Sequence, residues 1–300
     1  DDEAFASYKN RNKAALLNQE MNPNVAFSDS ITFALQMGHP RTIRMKADMI
    51  DKMDYDKILA MYQDRYKDAS DFTFILVGNV DVESMKPLIA EYLGALPAID
   101  RKESFKDNKI EYRKGVYKNE FVREQETAKA SNFVCFIGTC KYDLKNSILQ
   151  DMTCQIMDLV YTEKVREDEG GTYGVYVGGN LSKYPKEIAG IQIVFDTAPS
   201  KREKLMKIIF AEIEHISKEG PSQANLNKVK EFMLKKHAED LKENSYWMGS
   251  IDEYLFTGMN PIKDYEQTVN SITAKDIQKF ADDLFKQKNE VEVSMISPDK

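Results

Sequence analysis

The sequence predicts an α+β fold of two homologous domains, the first of them truncated, each an antiparallel-rich sheet packed against helices. Three observations predict it. Short runs rich in β-branched and aromatic residues, at 72–77, 131–139 and 188–197, stand among segments of helical periodicity without strict strand–helix alternation. The strands expected at 172–179 and 188–197 are joined by a short loop around Tyr184-Pro185, so their simplest pairing is antiparallel. Finally, one stretch of the chain occurs twice.

The repeat sets Ile50-Asp51-Lys52-Met53-Asp54-Tyr55-Asp56-Lys57-Ile58 over Val269-Asn270-Ser271-Ile272-Thr273-Ala274-Lys275-Asp276-Ile277, an offset of 219 residues. The same offset sets Asp64 over Asp283, Tyr66 over Phe285, Lys67 over Lys286, and Phe72 and Phe74 over Val291 and Val293. Upstream, Leu35 and Gly38 match Leu255 and Gly258 at an offset of 220. A gapless register over about 25 residues favours duplication over chance similarity, and so long a period means duplicated domains rather than solenoid units. With copies of this size, 300 residues hold one whole copy and the tail of another. The expectation is a chain that begins inside a domain of a longer protein. Asp1-Asp2-Glu3-Ala4-Phe5 has neither the basic nor the apolar region of a signal peptide.

The elements follow in order. A helix is expected at 5–21, with Leu16 and Leu17 on its apolar side, broken by Asn22-Pro23-Asn24. Helices follow at 25–37, which Gly38-His39-Pro40 ends, at 47–53 and at 55–66. Within the last, Ile58, Met61, Tyr62 and Arg65 have helical spacing. The run 72–77 reads as a buried strand, and 82–93 as a helix capped by Asp81 or Asn79 with a stripe of Met85, Leu88, Ile89 and Tyr92. This first unit is assigned to residues 1–98. Residues 99–118 are charged and poor in aliphatics and are assigned as the linker, although a strand is expected at 116–122.

The second domain, 119–300, continues with a central strand at 131–139 and a long helix at 144–166, then the two paired strands. An amphipathic helix at 201–218 carries Leu205, Ile208, Ile209, Ile213 and Ile216 and stops at Gly220-Pro221. Ser222 caps the next helix, the repeated helices follow, and a strand at 291–296 closes the chain.

Composition narrows the function. Hydrophobic residues make up 42% and charged residues 30%, and no apolar run reaches the ~18 residues of a membrane helix. A net charge of −7 argues against nucleic acid as a partner, because phosphate binding needs a basic surface. Cys135, Cys140 and Cys154 are an odd set without paired spacing, read as buried free thiols rather than a disulfide framework.

The chain has three histidines, His39, His215 and His237. No two are placed for an H-x-x-E-H or H-E-x-x-H site, so they read as solvated or helix-surface residues and no metal site is assigned. There is no G-x-S-x-G and no Walker A motif. The glycines at 170, 171, 174, 178 and 179 precede a strand, without the helix N-terminus a phosphate loop needs.

What remains is Arg166-Glu167-Asp168-Glu169-Gly170-Gly171-Thr172-Tyr173, a charged helix end running through a double glycine into a strand. Two readings fit it. Arg166 can complement the dipole of its helix while Tyr173 packs on the strand. Alternatively, the guanidinium and phenol, both hydrogen-bond donors, converge around the Gly170-Gly171 turn on one carbonyl oxygen.

This run, after a long helix and before a strand hairpin, resembles the C-terminal half of the insulinase-like zinc peptidases. That family includes pitrilysin, insulin-degrading enzyme and the mitochondrial processing peptidases. The resemblance extends over nearly the whole chain. Residues 72–97 (FTFILVGNVDVESMKPLIAEYLGALP) are similar to the strand-Gly-helix segment that ends each odd domain, and 119–300 to a full terminal domain.

The resemblance implies a clamshell of two homologous halves around a closed chamber that degrades peptides. The N-terminal half would carry zinc on an inverted His motif with a Glu that activates water. The C-terminal half lacks that motif, is inactive alone and contacts substrate. It further implies that Arg166 and Tyr173 are the donors that reach the scissile carbonyl and the developing oxyanion, with Gly170 and Gly171 as the supporting turn. Its partners would be the zinc-bearing N-terminal half, on the same polypeptide or separate, and a peptide substrate. Family association places it in the bacterial periplasm or envelope rather than the cytoplasm. The alternative is a non-catalytic structural relative of the same fold, like the core subunits of respiratory complexes.

Overall fold

A computed structural model describes residues 1–169 and 174–298, with the backbone alone for 166–169. Five helices come first: α1 (Asp2–Glu20), α2 (Pro23–Gln36), α3 (Ala47–Asp51), α4 (Tyr55–Tyr66) and α5 (Val82–Tyr92). Then come β1 (Val116–Val122), β2 (Ala130–Thr139), α6 (Leu144–Glu169), β3 (Val175–Ser182), β4 (Ile188–Thr197), α7 (Arg202–Lys218), α8 (Gln223–Asp240), α9 (Asn244–Thr257), α10 (Tyr265–Ser271), α11 (Ala274–Phe285) and β5 (Glu290–Ile296).

The strands form one sheet in the order β1-β5-β2-β4-β3. β2 pairs antiparallel with both β4 and β5, and β3 pairs antiparallel with β4. Only β1–β5 is parallel, with Val116 opposite Glu290. β2 is central and apolar on both faces, as its composition requires. One face carries Val134, Phe136, Ile191 and Ile193 and is covered by α6, α7 and α11, which bring Met152, Tyr161, Ile209, Ile277 and Phe280.

The other face, with Phe133, Cys135, Ile137, Val291 and Val293, is covered by α2 through Phe27, Ile31, Ala34 and Leu35. A helix from the first unit therefore completes the core of the second. Polar contacts hold it there. Arg113 donates from its backbone N to Leu35 O (2.7 Å) and from Nε to Ala34 O (2.6 Å). Asn119 Nδ2 donates to Ser30 Oγ at 2.8 Å, and Arg123 donates to Glu20 O at 2.9 Å.

The repeat is visible as architecture. α1 through α4 recur as α8 through α11, and α4 and α11 are both 12 residues long at the offset of 219. Each begins on a side-chain cap. Asp54 accepts from Lys57 N at 3.0 Å, and Thr273 forms a reciprocal box with Asp276.

The expectation of a buried strand at 72–77 is not met. The segment is extended but pairs with no strand among the described residues, and Phe72, Phe74 and Leu76 are exposed. Its apolar composition reflects a need for burial, but a strand forms only where neighbouring strands take its hydrogen bonds. The segment packs instead on the aromatic ridge of α4: Tyr66 meets Phe72 edge-on, with ring centroids 5.9 Å apart, and stacks obliquely on Tyr62. The chain beyond α5 is pinned back to this unit. The buried Asp68 carboxylate accepts from Ser70, Ile99 N and Arg101 N, which holds its pKa well below the usual carboxylate range, foremost through the Ser70 hydroxyl. Residues 102–115 form no helix or strand, and β1 starts at Val116, inside the stretch expected as linker.

Candidate functional site

The helix that carries Arg166 is firmly placed. Near its C-terminal end Tyr161 and Val165 are buried, and the Tyr161 hydroxyl donates to Ile209 O on α7 at 3.0 Å. Lys164 pairs with Glu212, also on α7. α6 runs on past Arg166 to Glu169, so Arg166 sits inside its last turn rather than at its end. Of Arg166 the structure gives the backbone; its side chain and Gly170, Gly171 and Tyr173 lie outside the described residues.

The chain is next described at Gly174, with φ of +103°, a conformation that glycine alone adopts easily, and it enters β3 at Val175. β3 lies against α6. Asp158 Oδ1 accepts from Val177 N at 3.3 Å. A Cβ on Gly179 would fall 2.5 Å from Gln150 Nε2 and 2.8 Å from Cys154 Sγ, so glycine here permits the close approach of helix and strand. α6 up to Val165 and the start of β3 are thus both anchored. β3, not β4, is the outer strand of the sheet.

The thiols are where the sequence reading puts them. All three cysteines are free; burial pushes Cys135 and Cys154 up to about 12 and the half-buried Cys140 up to about 11, which keeps them protonated and unreactive at neutral pH.

The histidines lie apart. His215 is exposed beside Glu219, and His39 sits in the turn after α2. His237 is buried, not on the helix surface as expected. Its ring stacks on Tyr265 with centroids 4.2 Å apart, and Nδ1 lies 2.9 Å from the Tyr246 hydroxyl. The signal was available: Leu226, Val229, Met233 and His237 form the buried stripe of α8. Among the described residues no three metal-ligating side chains come together, so they do not fit a zinc ion.

Residues 52–233 match the model of the peptidase M16 inactive domain. The chain belongs to this family. A zinc protease PQQL-like protein from Arabidopsis thaliana is 26% identical over 252 residues, 78% of this chain and 26% of the plant protein. The periplasmic protease PqqL from Escherichia coli superposes with a TM-score of 0.82 at 16% identity, covering 99% of this chain and 33% of PqqL. A peptidase M16 inactive domain from Pseudomonas fluorescens gives 0.75 at 19% identity over 100% of this chain and 72% of its own. The chain thus spans about a quarter of the plant relative and a third of PqqL. The α+β architecture of the M16 inactive domain is the one derived above.

Proposed function

We propose that this chain is the substrate-contacting, zinc-free part of a zinc-dependent endopeptidase. In this reading Arg166 and Tyr173 donate hydrogen bonds to the scissile carbonyl of a peptide held in a closed chamber. The observation that carries the reading is the family match across 52–233 to a domain named inactive, beside a curated relative named a zinc protease. The anchoring of α6 and β3, the elements on either side of residues 170–173 in the sequence, supports it, because donors aimed at an oxyanion must be held by rigid elements to act in the transition state.

The zinc would belong to a second, N-terminal half, on the same polypeptide or separate, that closes the chamber. The name of the Escherichia coli neighbour, a periplasmic protease, supports a place in the bacterial envelope. A structural, non-catalytic role is the second reading. It is favoured by the shared fold of a chain of complex III2 from Candida albicans, at a TM-score of 0.68 and 10% identity.

Hydrolysis of a quenched fluorescent peptide, with zinc, by this chain alone and together with a zinc-bearing N-terminal half tests the proposal. Activity is expected in the mixture only, and Arg166→Ala or Tyr173→Phe is expected to lower it by ~10²–10³-fold, the usual cost of one oxyanion donor. No activity in a mixture shown to assemble would establish the structural reading instead.

A further inference from the structure

A cavity of about 450 Å³ lies between α6, α8, α9, α10 and the far end of β3. Nothing in the oxyanion role of Arg166 and Tyr173 uses it. Its walls combine two kinds of chemistry. Tyr246, Tyr265 and Phe232 supply aromatic surface, and Asp151 and Asp240 supply carboxylates.

The balance of charge in the cavity is negative. Lys236 lines it too, but pairs with Asp240. His237 is engaged through Nδ1 by Tyr246. That leaves Asp151 without a cation beside it in the cavity. Asp151 is solvent-accessible as a residue, yet the cavity walls around it remove enough water to raise its pKa, with a hydrogen bond to Gln155 opposing. The phenols register the same field. Burial first, then Asp151 and Asp240, push Tyr265 well up, and burial followed by Asp240 raises Tyr246. A further observation points to an occupant: Gln150, buried in the same wall, has no hydrogen-bond partner for Oε1.

We propose that this cavity binds the basic side chain, lysine or arginine, of a peptide. A bare metal ion fits poorly, since no three ligating side chains converge among the described residues. A basic side chain fits both chemistries. Its aliphatic stem lies on the aromatic rings, and its charged head meets Asp151 and the ring faces. Gly179, Asn180 and Leu181 of the outer strand β3 line the cavity, so a peptide crossing the end of β3 would present such a side chain to it. The peptide as the source of the cation rests on the peptidase reading above; the cation preference itself does not.

The test uses this chain alone, at pH 8 and low salt. Fluorescence anisotropy compares a dye-labelled, end-blocked octapeptide with a single lysine in a Gly/Ala/Ser background against its norleucine twin. The lysine peptide is expected to bind about tenfold tighter or better, the scale of one charge-assisted contact plus one cation–π contact. In Asp151→Asn the lysine peptide is expected to lose its advantage, the ratio of the two affinities falling to about one. Asp151 is solvent-accessible and the change to Asn keeps its shape, so the variant is expected to fold, and its circular dichroism checks this. Equal affinities in the unaltered chain, no binding of either peptide, or a lysine preference that survives Asp151→Asn would each overturn the proposal. Hydrolysis in the mixture with the zinc-bearing half depends on Arg166 and Tyr173, so it can fail or succeed independently of this result.

Discussion

α4 and α11 are the same helix in two settings. They have equal length, matched register and side-chain caps at the same position. In α11, Ile277, Phe280, Ala281 and Leu284 are buried against the sheet. In α4 the matching Ile58, Met61 and Tyr62 are exposed; Phe280 retains 7% of its surface and Met61 68%. The strands differ in the same way, with Val293 at 0% and its counterpart Phe74 at 46%. Register and capping position are shared, although Arg65 stands where α11 has Leu284; at Ile58 and Met61 the apolar position is kept, and what is missing is a sheet opposite them among the described residues. The first copy displays a core face that has nothing to close on among the described residues.

That contrast predicts unequal mutational costs, and the largest comes from the paired core positions. Phe280→Ala is expected to destabilise the chain by ~3–5 kcal/mol in denaturant unfolding, while Met61→Ala is expected to stay within ~0.5 kcal/mol. Equal costs would mean that the α4 face is covered in solution.

A smaller effect separates the two strands by pH. On β5, burial, then a hydrogen bond donated to the Glu292 carboxylate and the charge of Glu292, lifts Glu290 to about 7, only partly opposed by Lys118. The equivalent position in the first copy is Asp71, which is exposed. A carboxyl raised in the folded state contributes stability at low pH that fades as pH climbs from about 4.5 through about 7. With partial solvent screening the change amounts to ~1 kcal/mol. Glu290→Gln is expected to flatten stability over that window, read by denaturant unfolding at several pH values; a slope that survives Glu290→Gln would sink the assignment.

Much of this was legible before any coordinates. The expectations for α4, β1 and β4 match at both ends, because caps, glycines and strand composition are local signals. Ser222 and Asp81 cap α8 and α5 as read. The strand expected at 72–77 failed because pairing depends on a distant partner that composition does not encode. The Arg166 and Tyr173 motif was read from the sequence alone; of it the structure describes the backbone of Arg166, within the last turn of α6, and the anchoring of α6 and β3 on either side. The acidic-aromatic cavity was not legible. Asp151, Asp240, Tyr246 and Tyr265 come from four helices, and no sequence period joins them.

The seating of α2 separates two meanings of a boundary. Along the chain, the charged stretch after Ile99 looks like a place to cut, and a gene could be divided there. In space the cut falls elsewhere, because α2 roofs one face of the only sheet among the described residues and Arg113, Asn119 and Arg123 clasp it in place. Opening the backbone between residues 102 and 110 should therefore yield two polypeptides that elute together from a sizing column. Expressing 119–300 by itself would strip the roof and leave Phe133, Ile137 and Val293 facing water. Through this clasp the stretches on either side of residues 102–115 share one core, so neither is a self-sufficient body.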